Sequence, residues 1–262
     1  MAPQVSPRYD GLNGITQGLT MTRNKTPSGR GTSRGAADGR ALKVKVKKAK
    51  GRSTSSVRWL DRQLNDPYVA AAKREGLRSR AAYKLMEIDD ADSILQSGQT
   101  VVDLGAAPGG WSQIAANRVK VGAGEGRVIA VDLIAMEPLP GVEFIQLDFE
   151  DEHASQSIEE MLKDSKVDVV LSDMAAASTG HRQTDHLRIV GLCEEALAFA
   201  STILKPGGTF LAKVLQGGTE KALLASMKRD FARVRHVKPQ ASRAQSSELY
   251  VLAQGFRMPA NT

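Results

Sequence analysis

The sequence contains a single cysteine, few aromatic residues and no long hydrophobic run. Of its 262 residues only Cys193 is cysteine, and aromatic residues make up 5%. One cysteine cannot form an internal disulfide framework or a thiolate metal site by itself, which fits a reducing compartment. The best apolar stretch, residues 189–204, is interrupted by Glu194 and Glu195 and is no candidate membrane span. The first twenty residues lack the apolar segment of a secretory signal, so we expect a cytoplasmic protein.

Acidic residues are scarce in the first quarter of the chain. Residues 1–60 contain 13 lysines and arginines against two acids, a balance of +11, whereas the whole chain carries +7 and residues 61–262 therefore carry −4. We predict a disordered basic tail over residues 1–56 and one folded domain over 57–262. Such a tail suits a polyanion such as RNA. A solubilising tail or an organellar transit peptide remains an alternative, and Met21 is an alternative start.

The folded part alternates between helical and strand patterns. Apolar residues recur at helical spacing over 59–69 and again over 79–90. Short apolar runs then predict strands at 100–104, 127–131, 142–147, 167–171 and 209–215, separated by helices at 109–119, 153–163, 185–204 and 219–229. This α/β alternation predicts a mostly parallel sheet with helices on both faces. The last two strands, 232–237 and 248–253, have no long helix between them and predict a closing antiparallel hairpin.

A glycine-containing loop follows the first predicted strand. Residues 103–113 read DLGAAPGGWSQ, in which Gly105 and Gly109 permit close approach of a ligand at the carboxyl end of the strand. The loop has neither the G-x-G-x-x-G spacing of a dinucleotide site nor the Gly-Lys-Ser/Thr of a Walker motif. It therefore does not support a ligand held by its di- or triphosphate.

Four aspartates lie at or near the ends of predicted strands: Asp103, Asp132, Asp148 and Asp173. Acids on one rim of a sheet would repel a phosphate but suit the sulfonium and amino groups of S-adenosylmethionine (SAM). Asp132 is placed to accept both ribose hydroxyls, and Asp148 to reach an adenine amino group. Any single aspartate in such a position could instead form a turn or cap a helix.

Several sequence blocks together resemble the FtsJ/RrmJ-like ribose 2′-O-methyltransferases, from about residue 58 to 255. The blocks are Asn65-Asp66-Pro67-Tyr68, LRSRAAYKL at 77–85, DLGAAPGGWSQ at 103–113, LSDM at 171–174, FLAK at 210–213 and SELY at 247–250. The resemblance implies a Rossmann-like SAM-dependent methyltransferase fold. It departs from many relatives at Ala175, where they have proline.

The resemblance also implies roles for individual residues. By motif, its catalytic tetrad falls on Lys84, Asp173, Lys213 and Glu248, and its cofactor contacts fall on Gly109, Trp111, Asp132, Asp148 and Asp173. Trp111 would equally suit a position in the core. We add Gly105 to the cofactor site from the loop pattern.

Arg78, Arg80 and Lys84 share a predicted helix that would bind RNA phosphates or form a solvated face. His181 and His186 are five residues apart, off the spacing of helical zinc ligands, so we expect no metal.

Lys213 is the candidate proton acceptor, because it interrupts an otherwise apolar strand. A lysine accepts a proton only when it is neutral, and its unperturbed pKa is ~10.4. Burial and the positive charge of Lys84 would lower that pKa, whereas Asp173 would raise it. We therefore expect Asp173 to orient Lys213 and balance its charge.

The resemblance implies that the substrate is a uridine ribose in the peptidyl-transferase region of 23S ribosomal RNA, within the 50S ribosomal subunit, and that the enzyme acts as a monomer without a membrane. Two alternatives remain open. One is a transfer-RNA ribose 2′-O-methyltransferase, and the other is a ribosome-assembly factor that binds RNA and SAM without catalysis. Methyl transfer from labelled SAM to undermodified 50S particles distinguishes them.

Overall fold

The computed structural model describes residues 54–163, 165–176, 179–216 and 221–257. Almost all of the predicted tail, residues 1–56, and the alternative start at Met21 lie outside the described residues and stay predictions. The first described helix, α1, spans Thr54–Leu64 and begins three residues before the predicted domain boundary. A second helix, α2, spans Pro67–Arg74.

The single helical pattern over 59–69 is therefore two helices. Pro67 has no N–H to donate within a helix interior, so it occupies the first turn of a new helix instead. Asp66 caps that helix, and its Oδ1 accepts a hydrogen bond from the Tyr68 amide at 3.0 Å.

Seven strands form one sheet. They are β1 (Thr100–Leu104), β2 (Arg127–Asp132), β3 (Val142–Gln146), β4 (Val167–Ser172), β5 (Leu204–Leu215), β6 (Phe231–Val237) and β7 (Glu248–Phe256). Their order is β3-β2-β1-β4-β5-β7-β6, and the first five are parallel. β7 is antiparallel to both β5 and β6. The predicted parallel sheet with a C-terminal antiparallel hairpin is confirmed, with the second strand of the hairpin inserted beside β5.

Helices cover both faces of the sheet. They are α3 (Ala81–Asp92), α4 (Gly110–Val119), α5 (Ala154–Leu162), α6 (Arg182–Ile203) and α7 (Lys221–Asp230). Side chains of a strand alternate between the faces, so Val102 and Leu104 of β1 pack with α5 and α6, while Val101 packs with α3 and α4. No helix among the described residues is both long and apolar enough to cross a bilayer.

The strand order creates a crevice at the carboxyl ends of the parallel strands. From β1 the chain moves outward to β2 and β3 and then returns to β4 on the other side of β1. Loops after β1 and β4 therefore diverge at this point, and doubly wound sheets bind ligands at such a reversal. The crevice holds the candidate site.

Candidate active site

A cavity of about 440 Å³ lies beyond the carboxyl ends of β1, β2 and β4. Its size falls within the ~300–1,000 Å³ range of small-molecule and cofactor pockets. Its walls are mainly apolar, and three of the four rim aspartates line it: Asp132, Asp148 and Asp173. The structure thus brings together the acids that the sequence places at separate strand ends.

Asp132 organises two loops of the cavity. Its Oδ2 accepts a hydrogen bond from the Ala107 amide at 2.8 Å, and its Oδ1 accepts one from the Ile134 amide at 2.7 Å. A carboxylate offers about four acceptor positions, so these two bonds leave capacity for a ligand's hydroxyls. Asp148 is exposed, and its Oδ1 accepts from the Glu150 amide at 3.1 Å. Backbone amides of neighbouring loops therefore position both side chains.

Asp103 lies beneath the cavity and does not line it. It is fully buried, and its Oδ2 accepts a hydrogen bond from the Ser112 hydroxyl at 2.6 Å. Its Oδ1 has no partner among the described residues. Burial raises the pKa of Asp103 to about 7, and the nearby charges of Asp173 and Asp132 act in the same direction. The expectation of four acids on one rim is therefore correct for three of them.

Packing and backbone conformation both require glycine at two positions of the loop. Gly105 has φ +75°, and a Cβ there would lie 2.9 Å from the backbone of Met174. Gly109 has φ +102°, and a Cβ there would lie 2.9 Å from Leu139. Positive φ values of this kind favour glycine. Gly105 lines the cavity and Gly109 does not, and their cofactor roles stay predictions.

Trp111 is a core residue by its side chain. Its indole is only 2% exposed, donates to the Ala81 carbonyl at 2.9 Å and packs 5.4 Å from the Tyr250 ring. It sits in the first turn of α4, so a contact with a cofactor would come from its backbone amide. Its cofactor role stays a prediction.

The four predicted catalytic residues form two ion pairs. In the first, the Lys84 ammonium lies 2.8 Å from Glu248 Oε1 and donates to Oε2 at 2.9 Å. In the second, the Lys213 ammonium donates to Asp173 Oδ1 at 3.0 Å and to the Asp173 carbonyl at 2.6 Å. Lys213 has a side chain only 9% exposed. Asp173 also lines the cavity, so the second pair reaches the cavity through this residue.

The charge of Asp173 is stabilised by its neighbours. Burial acts to raise the pKa of this carboxyl, but the positive charges of Lys213 and Lys84 and the hydrogen bonds to it outweigh burial and hold its pKa below the usual value. Asp173 is therefore a carboxylate at neutral pH, and it presents a negative charge to the cavity.

Tyr250 joins the two ion pairs, a role that the sequence reasoning missed. Its buried hydroxyl accepts a hydrogen bond from Lys84 at 3.0 Å and donates to Asp173 Oδ1 at 2.9 Å. Burial and the nearby Asp173 and Glu248 carboxylates raise its pKa well above 10, so it stays a neutral donor. One signal was available, because Tyr250 lies two residues after Glu248 and alternate strand residues share a face. Its Cα also pairs with that of Lys213 across β5 and β7.

Two of the predicted RNA-binding residues form contacts with other parts of the chain. Both precede α3 instead of lying on it. Arg78 donates from Nη1 to the Glu137 carbonyl and from Nη2 to the Pro138 carbonyl, each at 2.6 Å. Arg80 pairs with Asp66 at 2.6 Å and donates to the Ala241 carbonyl. Both guanidinium groups bind loops of the chain itself, and their contact with RNA stays a prediction. Lys84 belongs to the ion pair with Glu248 described above.

The described residues contain no group of three or more His, Cys, Asp and Glu side chains suited to hold a metal ion. The site consists of a carboxylate-lined cavity and the two lysines Lys84 and Lys213, whose side chains are 11% and 9% exposed. A cavity of this kind suits a ligand with positive charge, and the adjacent lysines suit an acceptor that loses a proton.

The chain is similar to known methyltransferases. The FtsJ-like methyltransferase family model matches residues 77–256, which include the whole sheet and both ion pairs. The ribosomal RNA large subunit methyltransferase E of Xanthobacter autotrophicus is 61% identical over 224 residues, or 86% of this chain and 88% of that protein. The protein of the same name from Parvibaculum lavamentivorans is 58% identical over 244 residues, or 90% of this chain and 96% of that protein. A solved structure described as a ribosomal RNA methyltransferase of Plasmodium falciparum is 30% identical, has a TM-score of 0.61, and covers 68% of this chain and 98% of that one.

Proposed function

The chain belongs to the FtsJ-like methyltransferase family, and from this premise we propose that it transfers the methyl group of SAM to a ribose 2′-hydroxyl in 23S ribosomal RNA. The acceptor we propose is a uridine of the peptidyl-transferase region within the 50S subunit. The observation that carries the proposal is the buried cluster of Lys84, Glu248, Tyr250, Asp173 and Lys213 beside the carboxylate-lined cavity. The names of the bacterial relatives support ribosomal RNA as the substrate.

The charge and the apolar walls of the cavity support SAM as its ligand. Its carboxylates suit the sulfonium and ammonium groups, and the exposed apolar side chains of Leu133 and Ile134 suit a nucleoside face. Asp132 would hold the ribose and Asp148 the adenine, while the Trp111 amide at the start of α4 would bind near the methionine end. When bound, SAM supplies a methyl group on a positively charged sulfur, which leaves as a neutral thioether.

Orientation is the first contribution that we assign to the protein. In-line displacement requires the attacking oxygen, the methyl carbon and the sulfur to be collinear, and such positioning is worth up to ~7–11 kcal/mol. Rigid elements hold the residues that would do this, because Asp132 is bonded to two loop amides and Asp173 to Lys213 and Tyr250.

Removal of the hydroxyl proton is the second contribution. We propose that Lys213 receives it as a neutral amine, after its own proton has left to solvent, and so becomes the ammonium that pairs with Asp173. Its Nζ contacts the carbonyl and the carboxylate of Asp173, a residue that lines the cavity. Lys84 would stabilise the developing negative charge on the oxygen. Glu248 and Tyr250 keep the Lys84 ammonium in place through three contacts of 2.8 to 3.0 Å.

Binding of the RNA belongs to the same proposal. We propose that the basic tail, which lies outside the described residues, supplies most of the long-range attraction, because residues 61–262 carry a net charge of −4. We also propose a cytoplasmic location, because the bacterial relatives are named for large-subunit ribosomal RNA, and we propose that the enzyme acts as a monomer.

The decisive experiment offers SAM with a labelled methyl group and three acceptors: undermethylated 50S subunits, free 23S ribosomal RNA and transfer RNA. We expect label in the 50S subunits, mapped to one 2′-O-methylated uridine by resistance of the adjacent bond to alkaline cleavage. Label in transfer RNA alone would favour the transfer-RNA alternative. Binding of SAM and RNA with no transfer to any acceptor would favour the assembly factor and overturn the proposal.

A further inference from the structure

Asp66 is a buried carboxylate that lies before the region matched by the family model, and the catalytic cluster does not include it. Its side chain is 6% exposed. Its Oδ2 forms an ion pair with Arg80 Nη1 at 2.6 Å. The same oxygen accepts hydrogen bonds from Arg243 Nε at 3.2 Å and from Arg243 Nη2 at 3.1 Å. Its Oδ1 is occupied by the Tyr68 amide as the cap of α2. One carboxylate therefore holds a helix start and two arginines from distant parts of the chain.

Both arginines lead to the segment that precedes Glu248. We call residues 238–247, which connect β6 to β7, the strap. Arg243 belongs to the strap itself, and Arg80 donates to the carbonyl of the strap residue Ala241. The amide of Ala241 donates to Glu87 Oε2 at 3.0 Å. Asp66 therefore fixes the strap at two neighbouring points, once directly and once through Arg80.

The strap in turn contacts the catalytic pair. Ser242 is 5% exposed, and its hydroxyl donates to Glu248 Oε1 at 2.9 Å. The same oxygen lies 2.8 Å from the Lys84 ammonium. The Ser246 hydroxyl also accepts from the Glu248 amide at 3.2 Å. The strap thus sets both the side chain and the backbone at the start of β7.

We propose that Asp66 is a positioning residue for methyl transfer, acting through Arg243, Arg80 and the strap on the Lys84–Glu248 pair. The inference rests on the proposed function, because it assigns a purpose to the placement of Glu248. It explains why a buried carboxylate caps a short helix, where serine or asparagine would cap equally well. Two partly buried guanidinium groups need its charge, and loss of that charge frees the strap to move away from Glu248.

The Asp66→Asn variant isolates this role. Asparagine keeps the size and capping ability of the side chain but removes the charge that holds both arginines. We expect kcat for methylation of 50S subunits to fall at least tenfold, while the SAM dissociation constant from calorimetry stays within twofold, because no strap residue lines the cavity. Backbone amides of the strap should exchange with deuterium faster than in the wild type.

Asp92→Asn is the matched control. Asp92 is also 6% exposed by its side chain and pairs with Arg235, which joins α3 to β6 outside the strap. A general loss of stability would affect both variants alike, whereas a positioning role predicts that Asp92→Asn keeps kcat within twofold. Arg243→Gln provides a second variant, which leaves the α2 cap and Arg80 intact. It should lower kcat several-fold, and it replaces Asp66→Asn as the test if that variant does not fold.

A double variant tests the route. If Asp66 acts through Ser242 and Glu248, then Asp66→Asn should lower kcat little further in a Ser242→Ala background, whereas an independent route would multiply the two losses. Two outcomes would overturn the inference in a preparation whose wild type methylates 50S subunits. One is that the losses in the double variant multiply. The other is that Asp66→Asn and Arg243→Gln have the same kcat as Asp92→Asn. Absence of methylation by the wild type would overturn the proposed function itself.

Discussion

Replacement of Lys213 by methionine tests the centre of the proposed mechanism. Methionine keeps most of the length and volume of lysine but removes the ammonium, which donates to the carbonyl and the Oδ1 of Asp173 at 2.6 and 3.0 Å. The lysine side chain is 9% exposed, so methionine would occupy the same space without exposing new apolar surface.

The expected loss of rate follows from the role of the amine. A positioned acid or base contributes about 10²–10⁴-fold, or roughly 3–5.5 kcal/mol of transition-state stabilisation. We therefore expect kcat for 50S methylation to fall by a factor in that range. SAM affinity should stay the same or rise slightly, because Asp173 lines the cavity and loses a neutralising neighbour. A fall in kcat with no loss of cofactor affinity separates chemistry from binding.

Stability should fall by about 2 kcal/mol. Charge-assisted hydrogen bonds contribute ~1.5–3 kcal/mol, and Tyr250 and the charge of Lys84 continue to stabilise the buried carboxylate. In the wild type the pKa of Asp173 is held below that of the unfolded chain, so this stabilisation is present above that unfolded value and disappears as pH falls through the folded pKa. The difference in unfolding free energy between variant and wild type should accordingly shrink below pH ~4.

The assays are methyl transfer from labelled SAM, calorimetry of SAM binding and urea unfolding at pH 7 and pH 3. Lys205→Met is the matched control, since Lys205 is the second residue of the same strand and pairs with Asp168 of β4 at 2.6 Å. Its side chain is 43% exposed, against 9% for Lys213. It should change stability by less than ~1 kcal/mol and leave kcat unaltered. A folded Lys213→Met protein with kcat within threefold of wild type would refute the assignment of Lys213 as proton acceptor.

Three further changes test the cavity, the tail and the buried acid. Asp132→Ala removes the carboxylate expected to hold the ribose, so calorimetry should show SAM binding weakened by ~1.5–3 kcal/mol. Deletion of residues 1–50 removes most of the basic excess but no cavity residue, so 50S binding should weaken and its log–log salt slope should flatten by roughly 0.7–0.9 per lost phosphate contact. Asp103→Asn removes a carboxyl whose folded pKa of about 7 exceeds its unfolded 3.8, so between pH 4 and 8 urea unfolding should show the variant gaining up to ~4 kcal/mol relative to wild type.

Each of these changes has a contrary result. An unchanged SAM dissociation constant in Asp132→Ala would place the ribose elsewhere. A truncated protein with wild-type affinity and salt slope would assign RNA binding to the folded domain alone. A stability difference between Asp103→Asn and wild type that does not vary with pH would show that Asp103 titrates in the folded protein as it does in the unfolded chain.

Local sequence patterns determined the strands, most of the helices and the edge of the sheet where the site lies. Buried parallel strands are short apolar runs, and the polar residues that end them necessarily meet at one edge, so Asp132, Asp148 and Asp173 were predicted to converge. The tetrad came from the resemblance of short blocks to a family, and the structure brings Lys84 and Glu248 together across 164 residues.

Other features depended on contacts that no local pattern records. In the sequence, Arg78 and Arg80 have the pattern of a solvated basic cluster. In the structure, Arg78 donates hydrogen bonds to carbonyl groups distant in the chain, and Arg80 pairs with the distant carboxylate of Asp66. The same helical spacing runs through residues 59–69, although Pro67 divides it into two helices. In each case the outcome was decided by which hydrogen-bonding partners were near once the chain had folded.

Tyr250 shows the distinction most clearly. The β pattern of 248–253 predicts that it shares a face with Glu248, but not that its hydroxyl sits between Lys84 and Asp173. That position depends on β7 pairing with β5 instead of closing the sheet as an outer strand. Periodicity reports which side of an element is buried, because burial follows local alternation of apolar residues. Which polar atoms meet inside the fold depends on the order of the strands and the packing of helices from remote segments, and only the tertiary structure specifies these.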